Sequence, residues 1–285
     1  MDPLALTLVL GSAFLHALWN TLLKREGDAE SSTVAAVVAC AGFAALAALV
    51  LGTPFPHGTA LLWTVVSGLC EAGYVATLAL ALTRAPLGPV YTISRGGSLL
   101  VVWPISVLFL DEPLRLLAIG GTLAVAAGLA ATSLGTPPAE RGQPERTTGL
   151  LWAALCALFV AGYHLAYKRA LAAGGAPPTV FALSIGLATP LNLFRRGTEK
   201  ARRTLALYSV RPGPLVLAGG MAAGSFLLLL YALERQGAGA VVTLRNTSIL
   251  FAQGFAWLIG ERPRRAQLVG AGLVAAGAVL LGWPR

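Results

Sequence analysis

Long apolar runs separated by short polar connections dominate the pattern along the chain. A helix that crosses a bilayer needs roughly 20 mostly apolar residues, and ten runs approach or exceed that length. This pattern predicts an all-α integral membrane protein with ten transmembrane helices, which we place at Leu4–Leu23, Thr33–Gly52, Thr59–Leu82, Leu87–Leu110, Leu116–Leu134, Thr148–Leu171, Pro178–Phe194, Pro214–Leu233, Gly237–Ile259 and Gln267–Trp283.

Two connections are longer than the others. Gly135–Thr147 is polar and contains three prolines, and Arg195–Gly213 is basic. Both are interpreted as solvated loops, since neither is large enough to form a domain. The chain is therefore divided into a first unit at residues 1–134, a linker at 135–147 and a second unit at 148–285.

The two units resemble each other. Residues 23–25 (Leu-Lys-Arg) match residues 167–169 (Tyr-Lys-Arg) at an offset of 144. At an offset of 151, Gly68, Gly73, Ala81, Leu82, Arg84, Gly88, Val90 and Thr92 match Gly219, Gly224, Ala232, Leu233, Arg235, Gly239, Val241 and Thr243. The offset falls to 150 for Arg95 with Arg245 and for the turns Asp111–Pro113 and Glu261–Pro263, so one residue of drift lies within the fourth and ninth helices.

The odd number of helices per unit has a topological consequence. After five crossings the chain is on the other side of the membrane, so the second unit must enter in the opposite direction. The sequence therefore predicts two inverted five-helix repeats, which are common in secondary transporters. In such folds the substrate site lies near the middle of the membrane, between the repeats.

Composition supports the membrane assignment. Hydrophobic residues make up 56% of the chain and charged residues only 12%, whereas soluble domains have about 25% charged residues. The formal net charge of +9 comes from Lys and Arg between the apolar runs, a distribution typical of loops at a membrane face. We therefore expect contact with the lipid bilayer and no binding of nucleic acid.

Other chemistries find no support in the residues. The three cysteines Cys40, Cys70 and Cys156 lie far apart in apolar runs, so we expect neither disulfides nor a metal site, and no cofactor. No nucleophile elbow, zinc-protease motif or phosphate-binding loop is present, so we do not expect an enzyme. The first apolar run lacks a basic leader and a cleavage site, and is interpreted as a transmembrane helix.

Several paired motifs resemble those of a known family. The segments Ala81–Pro113 and Ala232–Pro263 each run from a small-residue helix to a short acidic turn with Pro, and Gly-rich helices follow at Gly120–Gly128 and Gly270–Gly282. In these features the chain resembles an EamA-type transporter of the drug/metabolite transporter superfamily. The resemblance implies ten helices, no ATPase and movement of small metabolites, often export. His16, Trp19 and Asn20 depart from the general family pattern.

Three ionisable residues lie within the predicted spans, where each charge costs about 2.5–3.5 kcal/mol. They are Glu71, Arg95 and Arg245. The arginines either clamp an anionic substrate, as the planar guanidinium favours, or are structural, with one paired to Glu71 and the other bonded to backbone carbonyls. Glu71 is either a counter-ion for Arg95 or a carboxyl that carries a coupling proton.

Polar residues also form stripes on two helices. His16 and Asn20 share one face of the first helix, Tyr163 and Tyr167 share a face of the sixth, and His164 is the repeat equivalent of Asn20. These stripes either line a substrate cavity or make hydrogen bonds between helices. Tyr74 and Tyr91 are weaker candidates for the same lining.

Orientation gives conflicting expectations. With the N-terminus inside, outward loops would hold 14 Lys and Arg residues and inward segments only 5, so the positive-inside rule places both termini outside. The resemblance places both inside.

Together, these features predict a transporter of a small polar, anionic or zwitterionic metabolite that spans the plasma membrane many times, with a homodimer as a candidate assembly. The rival predictions are a non-transporting scaffold or receptor and a membrane enzyme that acts on lipid-linked substrates.

Overall fold

A computed structural model describes residues 3–24, 28–109, 116–134, 144–236, 238–258, 260 and 264–282. Within those ranges the chain is helical and contains no strand. The helices are α1 (Pro3–Lys24), α2 (Ala29–Val50), α3 (Gly58–Arg84), α4 (Leu87–Tyr91), α5 (Gly97–Phe109), α6 (Leu116–Leu134), α7 (Pro144–Ala172), α8 (Pro177–Phe194), α9 (Thr198–Val210), α10 (Pro212–Arg235), α11 (Ala238–Arg245), α12 (Ser248–Leu258) and α13 (Arg265–Gly282), with a π-helical turn at Thr92–Gly96. Both acidic Pro turns, most of the linker at 135–147 and Trp283 lie outside the described residues.

In the part of the chain that the structure describes, six helices are long and apolar enough to cross a membrane: α1, α2, α3, α7, α8 and α10. Shorter apolar stretches occur at Ile119–Ala131 in α6 and at Arg265–Leu280 in α13. The all-helical, multi-pass membrane architecture predicted from the apolar runs is confirmed. Where the fourth and ninth spans were predicted as single helices, the structure has interrupted ones.

The two interruptions distort the helix in opposite senses. In the first, the π-helical turn Thr92–Gly96 adds a residue to the helical turn between α4 and α5. In the second, the link between α11 and α12 is tightened by three-residue bonds, from the amide of Thr247 to the carbonyl of Leu244 (3.0 Å) and from the amide of Ile249 to the carbonyl of Asn246 (2.9 Å). One extra residue in the first segment accounts for the drift of the repeat offset from 151 to 150.

The basic segment Arg195–Gly213 was predicted as a loop, and that prediction is wrong. Most of it forms α9, and the hydroxyl of Tyr208 in α9 donates to the carbonyl of Ala35 at 2.6 Å. Arg195 and Arg196 both pair with Glu30 near the start of α2. These contacts order the segment against α2, which the number of basic residues alone did not indicate.

The most extensive contacts between helices join the two halves of the chain: α3 packs on α7, α10 on α1, and α13 on α6. The α6–α13 contact is very close, because a Cβ added to Gly128 would lie 2.5 Å from the carbonyl oxygen of Gly270, and one added to Gly277 would lie 2.5 Å from that of Gly121. Gly128 and Gly277 therefore serve packing between these two helices within the chain.

Equivalent lysines fix the ends of equivalent helices. Lys24 donates to the carbonyls of Leu82 and Ala85 at the end of α3. Lys168 donates to the carbonyls of Leu233 (3.0 Å) and Gln236 (3.3 Å) at the end of α10. Each carbonyl in the first set is 151 residues before its counterpart in the second. Both lysines thus donate to backbone carbonyls at a helix end, where the last carbonyls lack partners within the helix itself.

A second recurring contact lies deeper. Ser12 Oγ donates to the carbonyl of Ser225 at 2.7 Å where α1 crosses α10. Cys156 Sγ, 144 residues after Ser12, donates to the carbonyl of Tyr74 at 3.9 Å where α7 crosses α3. The two crossings bring α1, α3, α7 and α10 together at the centre, where the polar residues lie.

Candidate functional site

The central polar group consists of His16, Arg95, Tyr163, His164 and Arg245, named here the arginine cluster. His16 lies on α1, Arg95 in the π-helical turn, Tyr163 and His164 on α7, and Arg245 at the end of α11. Arg95 and Arg245 are only 3% and 2% exposed, and His16 is fully buried. The helix interruptions therefore place both guanidinium groups in the core.

Arg95 has neutral partners on three helices. Its Nη1 donates to the hydroxyl of Tyr163 at 3.0 Å, and its Nη2 contacts Nε2 of His16. Its guanidinium carbon also lies 5.6 Å from the centre of the Tyr74 ring. The face of an aromatic ring attracts a cation. Among the described residues, no carboxylate contacts the Arg95 guanidinium.

Arg245 shares two of these partners. Its Nη1 donates to the hydroxyl of Tyr163 at 3.3 Å and to Nε2 of His164 at 3.0 Å, while its Nη2 lies 3.2 Å from Nδ1 of His16. The guanidinium carbon lies 4.8 Å from the centre of the Phe226 ring. Its Nε is buried and has no hydrogen-bond partner.

His16 lies between the two guanidinium groups, with one ring nitrogen toward each. A neutral imidazole has one acceptor nitrogen and one N–H, so His16 can accept a hydrogen bond from only one arginine at a time. The arginine cluster is therefore short of hydrogen-bond acceptors, and it holds two positive charges close together.

Glu71 belongs to a separate group on the α3–α7–α8 side. Its Oε1 accepts a hydrogen bond from the hydroxyl of Tyr167 at 2.6 Å, and that hydroxyl lies 3.2 Å from Oγ of Ser184. Ser184 in turn lies 2.8 Å from Oγ of Ser67. The second carboxyl oxygen of Glu71 is buried without a partner.

Of the two alternatives for Glu71, the pairing with Arg95 is not observed among the described residues. Within the described part of the chain, no ion pair of 4.0 Å or less joins Glu71 to Arg95 or to Arg245. The backbone-carbonyl alternative is also wrong, because both guanidinium groups bond to side chains. The hydroxyl of Tyr167 occupies the place beside Glu71 that was expected for a guanidinium.

The weaker candidates join the cluster through His16. Tyr74 Oη lies 3.2 Å from Nε2 of His16, and the hydroxyl of Tyr91 donates to the His16 carbonyl at 2.8 Å. Asn20 donates to the same carbonyl at 2.8 Å, while its Oδ1 is buried without a partner. Asn20 thus lies beside the cluster and bonds neither arginine.

Two neighbours of Arg245 were missed from the sequence. Ser225 Oγ lies 3.5 Å from Nη2 of Arg245, and Phe226 lies under its guanidinium group. A signal for Ser225 was present, since it lies 151 residues after Tyr74 and is its repeat equivalent. Phe226 had no comparable signal, because an aromatic residue in an apolar helix is ordinary.

The cluster is closed in this structure. A hollow of about 800 Å³ lies against apolar residues of α1, α2 and α10, and another of about 610 Å³ lies against α5, α6 and α7. Neither is lined by a member of the arginine cluster. Most of the predicted lining residues therefore contact one another in the arginine cluster or lie directly beside it, whereas Tyr167 lies with Glu71 in the separate group. Within the described ranges, no group of His, Cys, Asp and Glu is arranged to hold a metal.

Comparison with known proteins finds a family match in the second half of the chain. Residues 147–283 match the EamA-like transporter family. A protein of known crystal structure aligns with a TM-score of 0.64 at 20% sequence identity, over 98% of this chain and 96% of its own, and is one of 28 matching chains. At that identity the likeness concerns the fold. No curated protein sequence matches the chain.

Proposed function

We propose that this chain, whose second half belongs to the EamA-like transporter family, is a secondary transporter of a small polar metabolite with an anionic group. The family makes the chain a membrane transporter of the drug/metabolite type. One observation carries the finer proposal: Arg95 and Arg245, one from each half of the chain, are buried together on neutral partners. An anionic or zwitterionic substrate would supply the missing negative charge.

The proposed architecture is ten transmembrane helices in two inverted repeats, residues 1–134 and 148–285, joined by the linker 135–147. The lysine contacts at the ends of α3 and α10 support it. So do the equivalent hydrogen bonds that Ser12 and Cys156 donate to the carbonyls of Ser225 and Tyr74. Equivalent residues make equivalent contacts across the halves, which is expected when two repeats are related by a two-fold axis.

The proposed binding site is the arginine cluster together with Asn20 and Tyr167. A carboxylate or phosphate can accept paired hydrogen bonds from a guanidinium fork. His164 and Tyr163 already bond the arginines and would orient the substrate beside them. Because this site is closed in the present structure, we assign the structure to an occluded step of alternating access, in which the halves rock about the centre.

We propose the interrupted helices as the moving parts. Transporters commonly place broken helices at the substrate site, where the irregular backbone lines a cavity. Here both interruptions adjoin the arginines, at Thr92–Gly96 and at Asn246–Thr247. Rocking of the halves would alter these two segments first, and with them the distance between the guanidinium groups.

For Glu71 the proposed role is proton coupling. Its partners are hydroxyl groups, and one of its oxygens is buried without a partner. An ionised carboxylate left in this state would be costly, so the closed structure favours the neutral acid. The counter-ion role is less well supported, because neither arginine contacts the carboxyl group.

The scaffold alternative draws on the closed core. A scaffold would be expected to have saturated polar contacts, because it never needs to open. Buried atoms without partners on Asn20, Glu71 and Arg245 favour a site that binds something. The plasma membrane and a homodimer are proposed as the setting, with a small molecule and lipid as partners.

A ligand screen on the purified full chain tests the proposal. Amino acids, phosphonates, nucleotides and sugar phosphates would be scanned by thermal shift, because a ligand that binds the folded state raises its apparent stability. We expect one anionic class to shift the wild type and Arg235→Gln, a control in an exposed arginine. The same class should not shift Arg245→Gln. A ligand that stabilises Arg245→Gln as well as the wild type would contradict the proposed site.

A further inference from the structure

We propose that the substrate carries a compact, doubly charged tetrahedral oxyanion, as in a phosphonate or a phosphate monoester. This inference rests on the proposed function and names the substrate class of the same site. The observation behind it is that two guanidinium groups converge on one hydroxyl oxygen and one imidazole ring.

The arginine cluster carries two positive charges. Both guanidinium groups are charged at any physiological pH, and the side chains that contact them are tyrosine, histidine, serine and phenylalanine. No carboxylate of the described residues contacts either arginine. A singly charged ligand would leave one positive charge uncompensated in a medium where charge is costly, whereas a dianion would neutralise the site.

Glu71 does not supply the second negative charge. Its carboxyl group accepts one hydrogen bond, from Tyr167, and its other oxygen has no donor. Buried carboxylates are normally stabilised by several donors or by a cation in contact. The neutral form therefore fits these surroundings, and the site keeps a formal charge of two.

The geometry then favours a single anionic centre over two separate ones. Nη1 of Arg95 and Nη1 of Arg245 both donate to Tyr163 Oη, at 3.0 and 3.3 Å. The two Nη1 atoms are therefore separated by at most the sum of these two hydrogen-bond distances. One tetrahedral group can accept from both forks, while a dicarboxylate would need them separated along its chain.

The acceptor shortage points to the same kind of group. His16 faces both arginines but can accept from only one, and Nε of Arg245 has no partner. A tetrahedral oxyanion brings three oxygens with several lone pairs, and Arg pairs bidentately with it. In the closed site, Tyr163 Oη and His16 are the acceptors shared by the two guanidinium groups. The oxyanion would take over that shared position, and the Tyr163 hydroxyl could then donate to it from the side.

Methyl phosphate and methyl sulfate provide the test, since they share a shape and differ by one charge. At about pH 8, above the second ionisation of a phosphate monoester near pH 6, methyl phosphate is largely a dianion. Binding of each would be measured by calorimetry on the purified full chain. We expect the wild type and Arg235→Gln to bind methyl phosphate about tenfold or more tightly than methyl sulfate, because the second charge is neutralised only by the dianion.

Charge variants distinguish the explanations. Arg95→Gln and Arg245→Gln should each lose most of the preference, since one charge then suffices. If either fails to fold, Arg95→Lys and Arg245→Lys keep the charge and should keep the preference with weaker binding. In Glu71→Gln the preference should match that of the wild type. A rise there would mean that Glu71 is ionised and would overturn the inference.

Two further results are informative. Equal binding of both probes, lost together in Arg245→Gln, would overturn the dianion while leaving the anion transporter in place. Failure of the wild type to bind either probe, or any other anion in the thermal-shift screen, would overturn both proposals.

Discussion

The segments that carry Arg95 and Arg245, residues 87–109 and 238–258, hold the same position in the repeat but differ in backbone. The first is widened by a π-helical turn, and the second is tightened by three-residue hydrogen bonds at Asn246–Thr247. Both distortions adjoin the arginine. The repeat has thus kept the charge at the centre while the path of the helix around it changed.

Their surroundings differ in the same way. Tyr74 lies 3.5 Å from Nη2 of Arg95, and its repeat equivalent Ser225 lies 3.5 Å from Nη2 of Arg245. Equivalent positions therefore make equivalent contacts with side chains of very different size. The two arginines thus carry the same charge but have neighbours of different size. A substrate whose two ends differ in size would therefore bind in one orientation.

The largest effect is expected from removing the extra residue of the first segment. Deletion of Ile93 makes the spacing from Thr92 to Arg95 equal to that from Thr243 to Arg245, and allows a regular helix to replace the π-helical turn. The helix should still form, because α4 and α5 keep their register. Arg95 would be misplaced, and a displacement of about 1 Å at a site can cost about 100-fold.

Transport in vesicles and a thermal melt together check this prediction. We expect transport to fall by about 100-fold while the melting temperature changes by only a few degrees. The mirror variant, with one residue inserted after Thr243, should act similarly on Arg245. Normal transport by the Ile93 deletion would show that the widened turn does not position Arg95.

The sequence showed that one residue is inserted in the first segment, but it did not show which structure accommodates that residue. The drift of one residue between Thr92 and Arg95 marks an insertion, but an insertion can be taken up by a loop, a kink or a π-helical turn. No Pro lies between these residues to indicate an irregular helix. Only packing of α4 and α5 against their neighbours fixes where the extra residue goes.

A smaller effect is expected at the helix ends that precede the two segments. Lys24 and Lys168 bond the last carbonyls of α3 and α10, directly before α4 and α11 begin. Lys24→Met and Lys168→Met keep the length of each side chain but remove its donors. Each should lower the free energy of unfolding by about 1.5–3 kcal/mol, since hydrogen bonds from charged donors are worth about that much.

Chemical unfolding in detergent measures both variants. Arg84→Met is a suitable control, because Arg84 is exposed and its hydrogen bonds stay within its own helix turn. A loss confined to one of the two lysine variants would show that the equivalent contacts do not carry equivalent energy, and would weaken the comparison between the two segments.

The sequence indicated which residues make up the candidate site better than it indicated which of them contact each other. Arg95, Arg245, Tyr163 and His164 were identified because polar residues in an apolar span are costly and few. That His16 lies between both arginines could not be predicted, since repeat offsets relate positions within each half but do not say what meets across the centre. The Glu71–Arg95 pair failed for this reason: charges were counted without the Tyr167 hydroxyl that packing places beside the carboxyl group.

The smallest expected effect concerns Glu71 and sharpens the difference between the two arginines. If Glu71 were the counter-ion of Arg95, Glu71→Gln would leave a buried guanidinium without compensation, at a cost of about 3–5 kcal/mol. In the structure, a Gln carbonyl can accept the Tyr167 hydrogen bond in place of Glu71 Oε1, and the other carboxyl oxygen has no partner to lose. We therefore expect Glu71→Gln to change the free energy of unfolding by less than about 1 kcal/mol.

The double variants that combine Glu71→Gln with Arg95→Gln or with Arg245→Gln should be additive in their free energies of unfolding within about 0.5 kcal/mol, as for sites without direct contact. Unfolding of the three single and two double variants in detergent measures both couplings under the same conditions. Recovery of stability in the Glu71→Gln, Arg95→Gln double variant would show that Glu71 and Arg95 form an ion pair, so that only Arg95 is neutralised by a carboxylate. Additivity in both pairs would leave Glu71 as a neutral acid available to carry a proton.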